Sequence, residues 1–430
     1  MIQDIASAQM ENFIIALFLF LFLVEFCIEF ILNELNLRYV RARWAERKIP
    51  DCFRNKIRAE DYERSVQYTL ARGSFGRCSE IYGRGITLFV LFSGLLGSLD
   101  RRTNAVAQHY SLGVYGGGIL FCLAVGLVFA LASLPTSVYS TFYLEAKFGF
   151  NKTTSGLYVL DKLKALVLGV LIGVPFLLVV LWLMDTMGRY WWIWVFGFIL
   201  AFQLLMIVIF PTFIAPWFNK FEPLREGELR DRILALAKQL GFKTSGIYTM
   251  DGSKRSAHSN AYFTGLGRSK RIVLFDTLLE QMTIDQGLAV LAHEMGHYKM
   301  KHIVRMLLVQ TLFLLIGLYL LSLLLNYAPL FSAFGLERSN HTALVLFTLV
   351  SGPATFYLAP LMNLLSRKHE YEADHFAAVT LRDGKAMEEA LVNLTIKNLS
   401  NLTPHPWYSA YYYSHPTPVE RIGAIRSCPV

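Results

Sequence analysis

The stretch Leu291-Ala-His-Glu-Met-Gly-His297 is followed, after five residues, by the apolar run Ile303-Val-Arg-Met-Leu-Leu-Val-Gln-Thr-Leu-Phe-Leu-Leu-Ile-Gly-Leu-Tyr-Leu-Leu-Ser-Leu-Leu-Leu-Asn-Tyr327. As a helix rising about 1.5 Å per residue, the second segment is long enough to cross a hydrocarbon core roughly 30 Å thick. The first segment is predicted to be helical too. Thr283-Ile-Asp-Gln286 has the spacing of a capping box, and Leu288, Leu291, Ala292 and Met295 then form an apolar side. On a helix, His293 and His297 share one face and can hold one Zn²⁺. Glu294 lies beside the first ligand, where it can take a proton from water at the metal's open position. The pattern is that of a zinc hydrolase, placed at the mouth of a membrane span.

The rest of the chain fits that setting. In 430 residues, 54% are apolar and the mean hydropathy is +0.41, too hydrophobic for a soluble enzyme. Runs of spanning length are read at 12 to 33, 83 to 99, 112 to 134, 163 to 184, 190 to 213, 303 to 327 and 342 to 365. The first carries Glu25 and Glu29 and no small-residue cleavage site, so it reads as a retained helix. The net charge of +9 is distributed as topology requires. Most Lys and Arg fall in segments 34 to 82, 135 to 162, 214 to 302 and 366 onward. The alternate loops hold only Arg101, Arg102, Arg189 and Arg338. The basic segments are therefore expected in the cytoplasm, with the N-terminus outside. No basic run is interleaved with aromatics as in a nucleic-acid module, so no nucleic-acid partner is expected. The five Cys have no CxxC spacing and lie in spans or cytoplasmic segments, which excludes a disulfide framework.

A catalytic zinc needs a third protein ligand. The predicted topology returns the chain to the motif's side after the seventh span, at Ser366-Arg-Lys-His-Glu-Tyr-Glu-Ala-Asp-His375. Glu370 and Asp374 lie four apart on one face, with Arg367 one turn earlier. Glu370 would complete a His₂Glu set and leave Asp374 to orient a ligand imidazole. On the residues alone, Glu372, His369 and His375 compete for that place.

HExxH followed, after one transmembrane hairpin, by Ser-Arg-x-x-Glu-x-x-Ala-Asp resembles the integral-membrane gluzincins, specifically the type I CAAX prenyl proteases. The likeness extends through Glu145-Ala-Lys-Phe-Gly-Phe-Asn-Lys-Thr-Thr154, Asp161 and Lys164, and Phe210-Pro-Thr-Phe-Ile-Ala-Pro-Trp-Phe-Asn-Lys-Phe-Glu-Pro-Leu224 with Gly227-Glu-Leu229. It continues through His258-Ser-Asn-Ala-Tyr-Phe263, Ser414-His-Pro416 and Glu420-Arg421. The resemblance implies one Zn²⁺ per chain on His293, His297 and Glu370, with Glu294 as general base, Asp374 behind a ligand and His415 on the transition state. It also implies that the spans enclose a chamber. The long insertions and basic retrieval tail of animal and fungal members are missing. A bacterial cytoplasmic membrane or an endoplasmic reticulum membrane is therefore expected, with the active site facing the cytoplasm.

Within 214 to 302, residues 226 to 240 have helical periodicity, and 246 to 250, 260 to 264 and 270 to 275 read as short strands with Gly265-Leu-Gly267 as a turn. Asn260, Ala261, Tyr262 and Phe263 are expected to offer an edge to an antiparallel substrate strand. The fold class is thus an all-α polytopic membrane protein of about seven transmembrane helices with a small cytoplasmic-side α+β zinc metalloprotease unit. The divisions are 1-213, 214-302, 303-365 and 366-430. A monomer in the bilayer is expected to cleave a prenylated protein or other membrane-associated peptide. A membrane quality-control protease and a non-hydrolytic receptor or transporter, using Glu25, Glu29 and Asn363 as a pathway, are the competing readings.

Overall fold

The computed structural model describes residues 2–242, 244–264 and 270–428; the expected turn at 265 to 267 lies outside them. Among the described residues, five helices are long and apolar enough to span a membrane: Ser7–Ala45, Gly116–Glu145, Ser155–Thr186, Gly188–Phe218 and His302–Leu324. Two bent pairs bring the number to seven. Ala59–Phe92 and Leu95–His109 meet at 60°, and Asn340–Val350 and Gly352–Leu381 at 53°. The seven spans expected from sequence fall on these, the second and seventh across a bend. Gly94, at φ +77°, makes the first bend in a conformation that favours glycine. Along Ser155–Thr186, Leu163, Leu166, Val167, Val170 and Leu171 are exposed, as a lipid-facing side requires.

Segment 34 to 82 is largely helical. It consists largely of extensions of the first two membrane helices, joined near Asp51–Phe53. Two apolar cores close the ends of the molecule. At the far end, Phe18, Leu91, Phe121, Met184, Val195 and Leu346 come from six different helices. At the other end, Phe53, Ile233, Ile272, Leu291, Ala377 and Ile422 belong to one core built around the motif helix.

The small sheet has four strands, one more than the sequence suggested. They are β1 (Phe221–Pro223), β2 (Gly246–Met250), β3 (Ala261–Thr264) and β4 (Arg271–Phe275), in the order β1-β2-β4-β3. β1 and β2 are antiparallel, β2 and β4 parallel, β4 and β3 antiparallel. β1 was missed because Glu222-Pro223 reads as a loop. β3 stands at an edge. Phe275 N–H donates to the Asn260 carbonyl at 3.1 Å, which makes 260/275 and 262/273 the hydrogen-bonded pairs. Ala261 and Phe263, paired with Leu274 and Ile272, therefore turn their N–H and C=O groups away from β4.

Candidate metal centre and active site

The motif helix, Ile284–Lys299, begins at the capping box: Thr283 Oγ1 accepts from Gln286 N–H at 3.3 Å, and Gln286 Oε1 accepts from Thr283 N–H at 3.4 Å. Leu288, Ala289, Leu291, Ala292 and Met295 anchor it in the core. Gly296 packs against the return helix Gly352–Leu381, where a Cβ would come within 3.3 Å of Ala373 Cα and 3.1 Å of Phe376. That close approach brings Glu370 and Asp374 up to the two motif histidines.

His293 Nε2 lies 3.1 Å from His297 Nε2 and 3.5 Å from Glu370 Oε2, and His297 Nε2 lies 3.2 Å from Glu370 Oε1. Among the described residues, these three form the group of His, Cys, Asp and Glu whose donor atoms lie within 4.8 Å of one another. Glu370 Oε2 is buried and makes no hydrogen bond, the Arg421 guanidinium at 3.4 Å lying outside hydrogen-bond geometry, so its lone pairs stay available to a metal cation. Asp374 Oδ1 is 2.8 Å from His293 Nδ1. A carboxylate only accepts, so Nδ1 carries the proton and Nε2 turns a lone pair toward the other two donors. Two nitrogens and one carboxylate around an open side suit a catalytic zinc.

Arg421 closes the back of the site, with Nη2 and Nε on Asp374 at 2.6 and 2.7 Å and Nη1 3.4 Å from Glu370 Oε2. Sequence reading quoted this arginine but gave it no role. Its helix, Pro418–Arg426, starts from a Thr417/Glu420 capping box, which the spacing Thr-x-x-Glu could have flagged. Arg367 does not join the carboxylates. Its Nη1 donates to the carbonyls of Ser409, Ala410 and Tyr413, tying down the end of helix Pro406–Tyr412 just before His415. His415 Nε2 lies 3.3 Å from Glu370 Oε1 on a side chain that is 62% exposed, at the mouth of the site.

The rival ligands point elsewhere. Glu372 bonds His302, His369 stacks on His302, and His375 Nδ1 lies 3.0 Å from Cys428 Sγ. Glu25 and Glu29 pair with Arg84, and Asn363 donates to the Tyr411 carbonyl, so the groups suggested for a transport pathway tie elements together.

Glu294 lines a cleft of about 460 Å³ with His293, His297, Glu370 and His415, and Asn260 and Ala261 form part of its wall. Burial pushes the Glu294 carboxyl up to about 7; the charges of His297 and Arg421 oppose the shift and that of Glu370 adds to it. Burial likewise pushes the His293 imidazole down, which favours the neutral form a metal requires. Tyr262 and Phe263 do not line the cleft. Tyr262 packs on Phe275 and Met250, and Phe263 on Phe242. Beyond His415 and Arg421 a cavity of about 860 Å³ opens between the C-terminal segment and the first two membrane helices, which contribute Glu29, Asn33, Tyr68 and Arg72.

Residues 39–220 match the family described as CAAX prenyl protease N-terminal, five membrane helices. Residues 223–428 match peptidase family M48. The chain belongs to the M48 metallopeptidases, in the type I CAAX protease branch. CAAX prenyl protease 1 of Saccharomyces cerevisiae is 37% identical over 406 residues, covering 89% of each chain. The rice homologue is 38% identical over 376 residues, covering 86% of this chain and 88% of its own. The human homologue is 33% identical, with 86% of each covered. The crystal structure of S. mikatae Ste24p superposes with a TM-score of 0.87 at 35% identity, over 97% of this chain and 98% of that one. The chain is thus a multi-pass integral-membrane metalloprotease.

Proposed function

We propose that this M48 enzyme is a zinc endopeptidase of the endoplasmic reticulum membrane. It cleaves near the C-terminus of prenylated CAAX proteins, on the cytoplasmic side. The observation that carries the reading is the convergence of His293, His297 and Glu370 beside Glu294, in a cleft walled in part by the edge strand β3. Prenylated substrates are supported by the likeness to the yeast CAAX prenyl protease 1 and its rice and human homologues. Their eukaryotic sources also favour the endoplasmic reticulum over a bacterial membrane. The cytoplasmic orientation rests on the basic segments that flank the site. A monomer suffices, because one chain supplies every group of the site.

His293, His297 and Glu370 would hold the zinc, which when bound acts as a Lewis acid toward water and the scissile carbonyl. Glu294, in the cleft beside these three residues, takes the proton of the attacking water. It returns the proton to the amine as the C–N bond breaks. His415 donates through Nε2 to the oxygen that gains charge. Asp374, held by Arg421, keeps the His293 ring in register. Asn260 and Ala261 receive the peptide as an added strand, which displaces the Asn260 Oδ1 that accepts from Ala261 N–H at 2.8 Å. Tyr262 and Phe263 serve by fixing that strand through their packing.

The test is metal analysis of purified enzyme followed by cleavage of a farnesylated peptide and its unprenylated counterpart. One zinc per chain, with the farnesylated peptide strongly preferred, is expected. Equal cleavage of both would remove the prenyl requirement and favour general membrane-associated peptides.

A further inference from the structure

The two motif histidines are held differently. His293 meets a carboxylate directly, whereas His297 Nδ1 lies 3.0 Å from His302 Nδ1, and His302 Nε2 lies 2.8 Å from Glu372 Oε2. On an unbroken helix, residues five apart point about 140° away from each other, so His302 could not reach His297. The helix instead breaks after Lys299. Lys301 takes φ +58°, and the next helix starts at His302 with its ring turned back against the motif. That ring is only 2% exposed and is stacked on His369 at 4.1 Å and 10°.

Proton positions follow from the partners. Arg305 and Lys368 lie 3.4 and 3.9 Å from Glu372, so its carboxyl oxygens are placed to accept. His302 must then donate through Nε2, so the neutral ring presents a lone pair at Nδ1. His297 donates into it from its own Nδ1, which frees His297 Nε2 as a lone pair. That nitrogen faces Glu370 Oε1 at 3.2 Å. Glu370 and Glu372 lie on opposite sides of one helix and face the two ring nitrogens of His297: Glu370 stands across the prospective metal position from Nε2, and Glu372 reaches Nδ1 through His302.

We propose that His302, carried by Glu372, is a positioning residue for the metal: it fixes the tautomer and plane of His297 so that Nε2 is ready to bind. This rests on the zinc reading above. Groups that support a ligand in this way typically change metal affinity by about 10 to 100-fold when removed.

The test measures zinc affinity by chelator competition and the visible spectrum of the cobalt-substituted full-length protein. His302→Phe keeps a ring for stacking on His369 but offers no acceptor. It should bind zinc roughly 10 to 100-fold more weakly, with an altered cobalt spectrum. His302→Gln can accept from His297 and donate to Glu372, and should recover most of the affinity. Glu372→Gln should weaken binding in the same direction by less, and it guards against a His302→Phe protein that fails to fold. Wild-type affinity and spectrum in folded His302→Phe, or in Glu372→Gln when His302→Phe does not fold, would overturn the proposal. His297→Ala is run beside them: if it too binds zinc as the wild type does, the ligand assignment has failed rather than the positioning role.

Discussion

Two histidine–aspartate pairs stand at opposite ends of this molecule with the same 2.8 Å contact: His293 with Asp374, and His341 with Asp100. At the far end, the His341 ring packs on Phe121, Gly118 leaves no room for a Cβ beside it, and Asn104 donates to the same Asp100 oxygen at 3.0 Å. The pair locks helices together. At the motif end, the ring nitrogen opposite the aspartate faces His297 and Glu370. A histidine–carboxylate pair is therefore no signature of chemistry. What the free nitrogen faces decides between a clasp and a metal ligand.

If that contrast is right, substitutions at the two ends should separate activity from stability. The largest effect is expected from Glu370→Ala, which should lose zinc and all measurable turnover while the fold persists. His415→Ala should keep zinc and lower kcat by about 10² to 10³-fold with little change in KM, as for a donor used on the oxyanion. A change confined to KM would return His415 to a structural part. The smallest effect on catalysis is expected from His341→Ala. Removing the partner of a buried carboxylate should cost about 1–3 kcal/mol of stability, read as a lower unfolding temperature in detergent, with zinc content and kcat unchanged. A loss of zinc there would erase the distinction between the ends.

The motif end was legible because its signals are local. The capping box, the four-residue histidine spacing and the apolar stripe all lie within Thr283–His297, and one hairpin of predictable topology brought back the segment 366 to 375, within which the family resemblance, not the topology, singled out Glu370 from Glu372, His369 and His375. The far end was not legible. Asp100 and His341 are 241 positions apart, and neither sits in a pattern that names its partner. Arg421 was overlooked for a similar reason: it lies 47 residues beyond Asp374 on a short helix, and only packing brings it there. The contact of His302 depends on a helix break at Lys301, a non-glycine residue with positive φ that carries no turn signature. The bends of the second and seventh spans escaped because hydropathy reports length and not direction.

The central claim is that Glu294 performs the proton transfers at a zinc held by His293, His297 and Glu370. It is tested most directly by measuring zinc content and single-turnover peptide cleavage on the same preparation of Glu294→Gln. The account predicts one zinc per chain and a rate lower by at least about 10² to 10⁴-fold, the range that general-base catalysis supplies. A zinc-loaded Glu294→Gln enzyme that cleaves at a near-normal rate would contradict it.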